Sequence, residues 1–472
     1  MVSATSSKAS LAKPARRAPI RTYDAALRYL FSHTDYEQML RVRYNRDTFS
    51  LSRMEGLLKK LGDPHKGLRC AHVAGTKGKG STCTMLASML QACDHKVGLY
   101  TSPHLIDLRE RIRINGDMIT QAALTRYINR VAPIVDDMVR DKPTFFEIFT
   151  AIAFCYFADE GVDLAVLETG LGGRLDSTNV VKPLVCGVTS ISMDHMHQLG
   201  ATIELITTEK AGIFKSGVPA VSVPQRAEAK SVLKKMAKAS NTPLLFTGEN
   251  IEFSFRFESS RETGPQTRIC LTTPNSQFEH LPVPLMGEHQ AVNCGLALAM
   301  LDQLKGQGVK IDDRQAMAGL AKVKLEGRME TLNDSPRIMV DGAHNGASVE
   351  ALMRAIGQYV PYDSMVVVFG CAADKDIDGM LDQIMRGADK VVFTKTDTAR
   401  AARPEMLADR YEERSGKTAQ VAQNLKDAMR IALNAITRED ILCITGSFYL
   451  VGEAKKLCAT LNMGDKTVPA KR

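Results

Sequence analysis

The chain has 472 residues, 44% of them apolar, which is enough for two or three domains with large cores. No apolar run approaches the ~20 residues that cross a bilayer, and ten cysteines scattered singly, with no Cys-x-x-Cys, exclude a zinc ribbon and a disulfide framework. The net charge of +8, from 61 basic and 53 acidic residues, suits an anionic substrate, and no basic patch interleaved with aromatics points to nucleic acid.

Residues 1–21 hold Lys8, Lys13, Arg16, Arg17 and Arg21, several serines, and no acid before Asp24. The segment reads as a basic disordered tail, with an organellar transit segment as the alternative. Residues 466–472 read as a second loose end. Helical patterns follow at 23–30 and 54–61. Short apolar runs at 70–74, 97–100, 164–167 and 185–191 read as strands, each ending in polar residues or glycine. Open parallel sheets bind ligands beyond the carboxyl ends of their strands, so these ends mark a site.

The first such end is Gly75-Thr76-Lys77-Gly78-Lys79-Gly80-Ser81, between a strand and a helix that carries Met85, Leu86, Met89 and Leu90. A glycine-rich turn there aims backbone N–H groups and a helix N-terminus at an anion, and Lys79 adds a cation. The strict P-loop spelling is not met: Val73 stands where it needs glycine, and Gly80 follows the lysine. A nucleoside triphosphate is the expected ligand. Arg109, Arg111 and Arg113 read as one face of an extended segment, in isolation an exposed charged strand, with contact to carboxylates as the functional alternative. Glu168 ends the third strand, ahead of Gly170 and Gly172–Arg174. An acid facing a phosphate loop fits Mg²⁺, and a helix-capping carboxylate is the alternative. His195 is either a metal ligand or a surface residue, with His197 as an equal candidate. Nothing in the residue pattern alone singles out Lys210.

Over 245–285 the pattern alternates: Phe253, Phe255 and Phe257, then a polar turn at 259–266, then Ile269 and Leu271. This predicts an appended β-hairpin. A helix over 287–300 carries Asn293. A second strand–helix series begins near 323, with strands at 337–340, 365–369, 390–394 and 441–445. Their ends carry Asp341-Gly-Ala-His344-Asn345, the segment 370–376, and Gly446-Ser447. Asp341 suits a ribose hydroxyl, with capping as the alternative. The expected fold is α/β: a P-loop-type, mainly parallel domain with the hairpin (22–322), then a smaller Rossmann-like domain (323–472), with the site in the cleft between them.

Together, Gly75–Ser81, Ser102-Pro-His-Leu105 with Arg109–Gly116, Glu168–Arg174, Asp194-His195 and Asp341–Asn345 resemble the folylpolyglutamate synthase and dihydrofolate synthase family, relatives of the Mur ligases. The resemblance spans about residues 20–460 in the same order. It implies an ATP-dependent ligase acting through an acyl phosphate. ATP phosphorylates the γ-carboxylate of tetrahydrofolate or another reduced folate, the amine of L-glutamate attacks, and ADP and phosphate leave. Glutamate addition to dihydropteroate is the alternative within the class. A non-catalytic nucleotide-binding protein and a nucleic-acid binder acting through the basic N-terminus are the alternatives outside it.

The resemblance also implies residue roles. Gly75, Thr76, Lys77, Gly78, Lys79, Gly80, Ser81, Asn293, Arg328 and Asp341 would hold ATP. Thr101 (where the family usually has serine), Glu168 and His195 would bind one or two Mg²⁺ ions. Lys79, His195 and Lys210 would be catalytic, with Lys210 carbamylated near the second metal. Phe146, Arg174 and Asp176 lie at positions near the pterin, and His344 and Ser447 at the second-domain face of the cleft. A monovalent cation stays open. A cytoplasmic monomer is expected, with a mitochondrial form as an option.

Overall fold

The computed structural model of the chain describes residues 19–36 and 48–460. Residues 1–18 of the expected basic tail and the loose end at 466–472 lie outside the described residues.

Runs of Val, Ala, Leu and Cys too apolar to alternate make strands that are buried on both faces. The large sheet contains β1 (Cys70–Ala74), β2 (Val97–Tyr100), β3 (Ile112–Ile114), β4 (Asp117–Met118), β5 (Leu164–Glu168), β6 (Val185–Val188), β7 (Ala220–Ser222) and β8 (Leu244–Phe246). Their spatial order is β4-β3-β2-β5-β1-β6-β7-β8, and only β3 and β4 run antiparallel to their neighbours. The pleat sends Val73, Leu99 and Val166 to one face, where helices Lys79–Ala92 and Glu288–Gly306 pack. It sends Cys70, Tyr100 and Leu167 to the other, under helices Gln121–Asp137 and Phe145–Asp159. Phe149, Phe154 and Phe157 are fully buried there, each contributing ~1.5–3 kcal/mol relative to exposure.

Two sequence-based boundaries shift. The strand expected over 185–191 stops at Val188, and Ser190 instead pairs with Lys77 under the glycine-rich turn. The second helix is Leu51–Lys60, set by the Ser50 side chain accepting from the Arg53 N–H at 3.3 Å.

The expected hairpin is a three-stranded antiparallel sheet, β9 (Glu252–Ser260), β10 (Gly264–Thr272) and β11 (Gln277–Pro282), in the order β11-β10-β9. Pairing continues through polar residues to Ser260 and Gly264, so the turn is far shorter than 259–266. Polar residues on solvent-facing strands look like loop in a sequence. Ile269, Leu271 and Phe278 are buried on the core side, whereas Phe255 and Phe257 are largely exposed. Phe257 meets the Tyr359 ring edge-on at 5.2 Å, and the Thr267 and Tyr359 hydroxyls are hydrogen-bonded, which ties this sheet to the C-terminal domain.

That domain holds β12 (Glu330–Asp334), β13 (Arg337–Asp341), β14 (Met365–Phe369), β15 (Lys390–Phe393), β16 (Gln420–Val421) and β17 (Ile441–Thr445), ordered β12-β13-β17-β14-β15-β16. Only β12 is antiparallel. Helices Gly346–Tyr359 and Ile377–Gly387 cover one face, and Leu425–Asn434 and Phe448–Thr460 the other. No helix among the described residues is long and apolar enough to cross a membrane.

Candidate active site

The carboxyl ends of β1, β5 and β6 and those of β13, β14, β15 and β17 open into one cavity of about 1040 Å³. On the large-sheet side, β1 runs into Gly75–Gly78 and helix Lys79–Ala92 begins at once, with no side chain capping it. Its first N–H groups are therefore free to meet an anion, and Thr76, Lys77, Gly78, Lys79, Gly80 and Ser81 all line the cavity. Gly78 has φ +87°, and a Cβ there would lie 2.1 Å from Asn293 Oδ1. Both the backbone and the close approach require glycine. The Thr76 N–H donates to Ser190 O at 2.9 Å, and its hydroxyl to Ser192 O at 3.1 Å.

Two ammonium groups converge on Gly75 O: Lys79 Nζ at 3.3 Å and Lys210 Nζ at 2.7 Å. Lys210 is buried. Desolvation lowers its pKa to about 7, the Lys79 charge adds to this, and Asp194 and Asp176 oppose it. Neither Lys210 nor Gly75 lines the cavity; they sit directly behind the turn. Lys77 is lowered to about 8, again mainly by burial.

Glu168 is 4% exposed and faces this turn, with Lys79 Nζ 3.9 Å from Oε1. Its Oε2 accepts from the Ser102 N–H at 3.2 Å. Burial raises its pKa to about 6, against Lys79 and that N–H. The expected metal ligand Thr101 does not line the cavity, and its N–H donates to Arg111 O at 3.1 Å. Ser102 is the hydroxyl-bearing residue that lines the wall here. His195 lines the cavity in a left-handed conformation, φ +50°, with its side chain 44% exposed. Desolvation by the surrounding walls lowers it to about 4, against Asp194.

No three His, Cys, Asp or Glu side chains converge as a metal site among the described residues. A lone buried carboxylate of raised pKa, beside helix N–H groups suited to phosphate, still fits Mg²⁺. That ion is commonly held by one or two carboxylates together with substrate phosphates.

From the C-terminal domain, Asp341 ends β13, accepting from the N–H groups of Met329 at 2.9 Å and Ala343 at 2.8 Å. Burial raises its pKa, and Arg328 opposes the rise. The Arg328 guanidinium lies 4.4 Å over the Phe448 ring. His344 Nδ1 is 2.9 Å from Gly342 O, and desolvation lowers its pKa to about 4. Asn293, Arg328, Asp341, His344 and Ser447 all line the cavity. Across it, Lys375 Nζ is 3.5 Å from Asp194 Oδ1. Burial would raise the Asp194 carboxyl, but His195, Lys375 and His344 carry it well below the usual range.

The residues expected near a pterin separate. Phe146 lines the cavity; Arg174 does not, and its guanidinium donates to Glu209, with Nη2 to Oε1 at 2.9 Å. Asp176 lines the wall, but its oxygens are occupied. Oδ2 takes the Gly170 and Leu171 N–H groups, both at 2.9 Å, and Oδ1 takes the Thr178 N–H at 3.0 Å and hydroxyl at 2.5 Å. Since the Thr178 hydrogen goes to Asp176, the contact from His72 Nε2 at 2.8 Å must be a donation. The arginine triplet does not share one extended face. Arg109 and Arg111 lie in the 3₁₀ turn Leu108–Arg111 and only Arg113 is in β3. Arg111 is 2% exposed, donates to His104 Nδ1 at 2.9 Å and lies 5.6 Å from the Phe145 ring centre.

The two sheets match two families of domains. Residues 73–301 match the Mur ligase middle domain, and residues 327–448 match the Mur ligase, glutamate ligase domain. The dihydrofolate synthase/folylpolyglutamate synthase of Bacillus subtilis is 36% identical over 411 residues, 86% of this chain and 94% of its own. The chain belongs to the dihydrofolate synthase/folylpolyglutamate synthase family. Mycobacterium tuberculosis folylpolyglutamate synthase complexed with ADP superposes with a TM-score of 0.83 at 32% identity, covering 92% of this chain and 99% of that one. E. coli FolC in complex with DHPP and ADP gives 0.80 at 27%, covering 95% and 100%. The folylpolyglutamate synthase structures share its two-domain Mur ligase architecture.

Three cavity residues of this family member, Ser102, His289 and Lys375, were not singled out from its sequence. Lys375 falls in the strand-end segment 370–376 that the sheet rule marked, but the rule does not say which residue of that segment faces the cavity. His289 has no such signal, because it projects from a helix.

Proposed function

We propose that the chain is an ATP-dependent ligase that joins L-glutamate to the γ-carboxylate of a reduced folate, tetrahydrofolate or its polyglutamates, through an acyl phosphate. The observation that carries this reading is the single cavity in which the phosphate turn and Glu168 of one domain face Arg328, Asp341, His344 and Lys375 of the other. A carboxylate is a poor electrophile, and phosphorylation supplies it with a leaving group. The protein's part is to align the acid with the phosphate and neutralise the charge that develops.

In this reading Thr76–Ser81 cradle the triphosphate, with Gly75 behind the turn and Lys79 against the transferring group, and Asn293, Arg328 and Asp341 hold the adenosine side. Glu168 and Ser102 would hold Mg²⁺, with His195 nearby; when bound, the ion offsets charge on the phosphate oxygens. A low pKa makes the Lys210 amine available for carbamylation. Phe146 and the Gly170–Leu171 backbone form the wall for the pterin end, with Asp176 ordering that backbone. His344, Lys375 and Ser447 face the incoming glutamate, whose two carboxylates call for cations.

Dihydrofolate synthesis is the second reading, favoured by the E. coli relative solved with DHPP and by the double name of the B. subtilis one. Purified protein with ATP, Mg²⁺ and L-glutamate should release ADP when tetrahydrofolate is supplied, together with a γ-glutamyl product. Release with dihydropteroate alone would replace the first reading by the second. No release with either acid would sink both.

A further inference from the structure

We infer that Leu105 is a positioning residue: it plugs the loop that carries Ser102 into the C-terminal domain and so fixes that loop against Glu168. The consequence for turnover rests on the ligase reading above. The loop leaves β2 and passes Ser102, whose N–H reaches Glu168 Oε2 at 3.2 Å. Three residues on, the Glu110 carboxylate gathers the N–H groups of Leu105, Ile106 and Asp107 at 2.7, 2.9 and 2.7 Å. Residues 105–107 are thereby held in one geometry, His104 Nδ1 accepts from Arg111 Nε at 2.9 Å, and only Pro103 separates this stretch from Ser102.

The Leu105 side chain does not join the core of its own domain. It packs on the apolar cluster of the C-terminal domain that contains Ile338, Val340, Leu450 and Val451. Two glycines of that domain make room for it. A Cβ at Gly452 would lie 2.2 Å from Leu105 O, and one at Gly327 would lie 3.3 Å from both Leu105 Cδ atoms. Gly452 sits inside helix Phe448–Thr460, where glycine is a poor helix former and no left-handed backbone calls for it. Close approach of the Leu105 backbone is the remaining physical reason for it. The same helix begins beside Ser447 and carries Phe448 and Tyr449, all on the cavity wall. One contact thus ties the Glu168 end of the site to its C-terminal face.

Gly452→Ala separates this role from ordinary packing, because alanine favours the helix while its methyl group expels the loop. Gly452→Ala and Leu105→Ala should each lower kcat about ten-fold or more with ADP affinity by calorimetry unchanged. Hydrogen exchange should rise over residues 101–107. Gly452→Ala should keep the circular dichroism of the folded protein, and Leu105→Met, which conserves volume, should keep parental kcat. Parental kcat and exchange in Gly452→Ala would overturn the inference. So would Leu105→Met failing as badly as Leu105→Ala, or ADP affinity falling in step with kcat. A parent chain with no glutamate-dependent ADP release would instead end the ligase reading, and the exchange measurement would still decide the plug.

Discussion

His72 lies at the centre of β1, fully buried, and reaches the Gly170–Leu171 wall of the cavity through Thr178 and Asp176. Its Nε2 donates, and its Nδ1 has no partner. Burial lowers its pKa to about 3. The folded state therefore holds fewer protons than the unfolded one below pH 6.5. Its stabilising effect is complete above that pH and is lost as pH falls toward 3, by up to ~1.4 kcal/mol per unit. Urea unfolding at pH 7, 5.5 and 4.5 should show a shallower acid loss in His72→Gln than in the parent. Equal slopes would mean that this imidazole is not kept neutral. Thr178→Val removes the relay hydroxyl at nearly constant shape and should raise the folate KM about ten-fold, with the ATP KM unchanged. Thr178→Ser should restore it, and equal KM values in all three proteins would deny the relay any role at the wall. At Lys210, a pKa near 7 leaves a large neutral fraction at physiological pH. ¹³C-bicarbonate should give a carbamate resonance in the parent that is absent from Lys210→Arg.

At the scale of elements, the helix Lys79–Ala92 is built to start abruptly. Gly78→Ala would place a Cβ in the left-handed region, costing ~1–2 kcal/mol, and against Asn293 Oδ1. ADP binding should weaken by at least about ten-fold while the circular dichroism of the folded protein is kept. Parental affinity would remove the turn from the nucleotide site. This element was legible in the sequence because a strand, a glycine-rich turn and a helical spacing of apolar residues (Met85, Leu86, Met89, Leu90) follow one another without interruption. The strands β5, β13, β14 and β17 were legible for a related reason: buried parallel strands are short apolar runs with polar ends. The short strands β3, β4, β12 and β16, at or next to the sheet edges, were not, since two to five mixed residues carry no period. β11 was hidden by its polar solvent face. Motif matching does not say which of the two adjacent hydroxyls, Thr101 or Ser102, lines the cavity; in the structure it is Ser102.

For the whole molecule, the contacts that cross between domains among the described residues include Leu105 on the C-terminal core, Tyr359 on the three-stranded sheet, Lys375 on Asp194 and Arg354 on Glu288. No sequence pattern reports them, because each joins residues that are distant in the chain and ordinary in type. Lys375→Ala leaves Asp194 without that partner and takes from the C-terminal wall a cation able to meet a carboxylate. It should raise the glutamate KM at least about ten-fold and leave the ADP affinity alone; an unchanged glutamate KM would remove Lys375 from the amino-acid site.

The claim beneath all of these is that one cavity, shared by two domains, brings nucleotide and folate acid together. A crystal structure of the full chain with a non-hydrolysable ATP analogue and Mg²⁺ tests it most directly. The phosphates should sit on the N–H groups that open helix Lys79–Ala92, with the adenosine against Asn293 and Asp341 and the ion at Glu168. A nucleotide bound by either domain outside that cavity would contradict it.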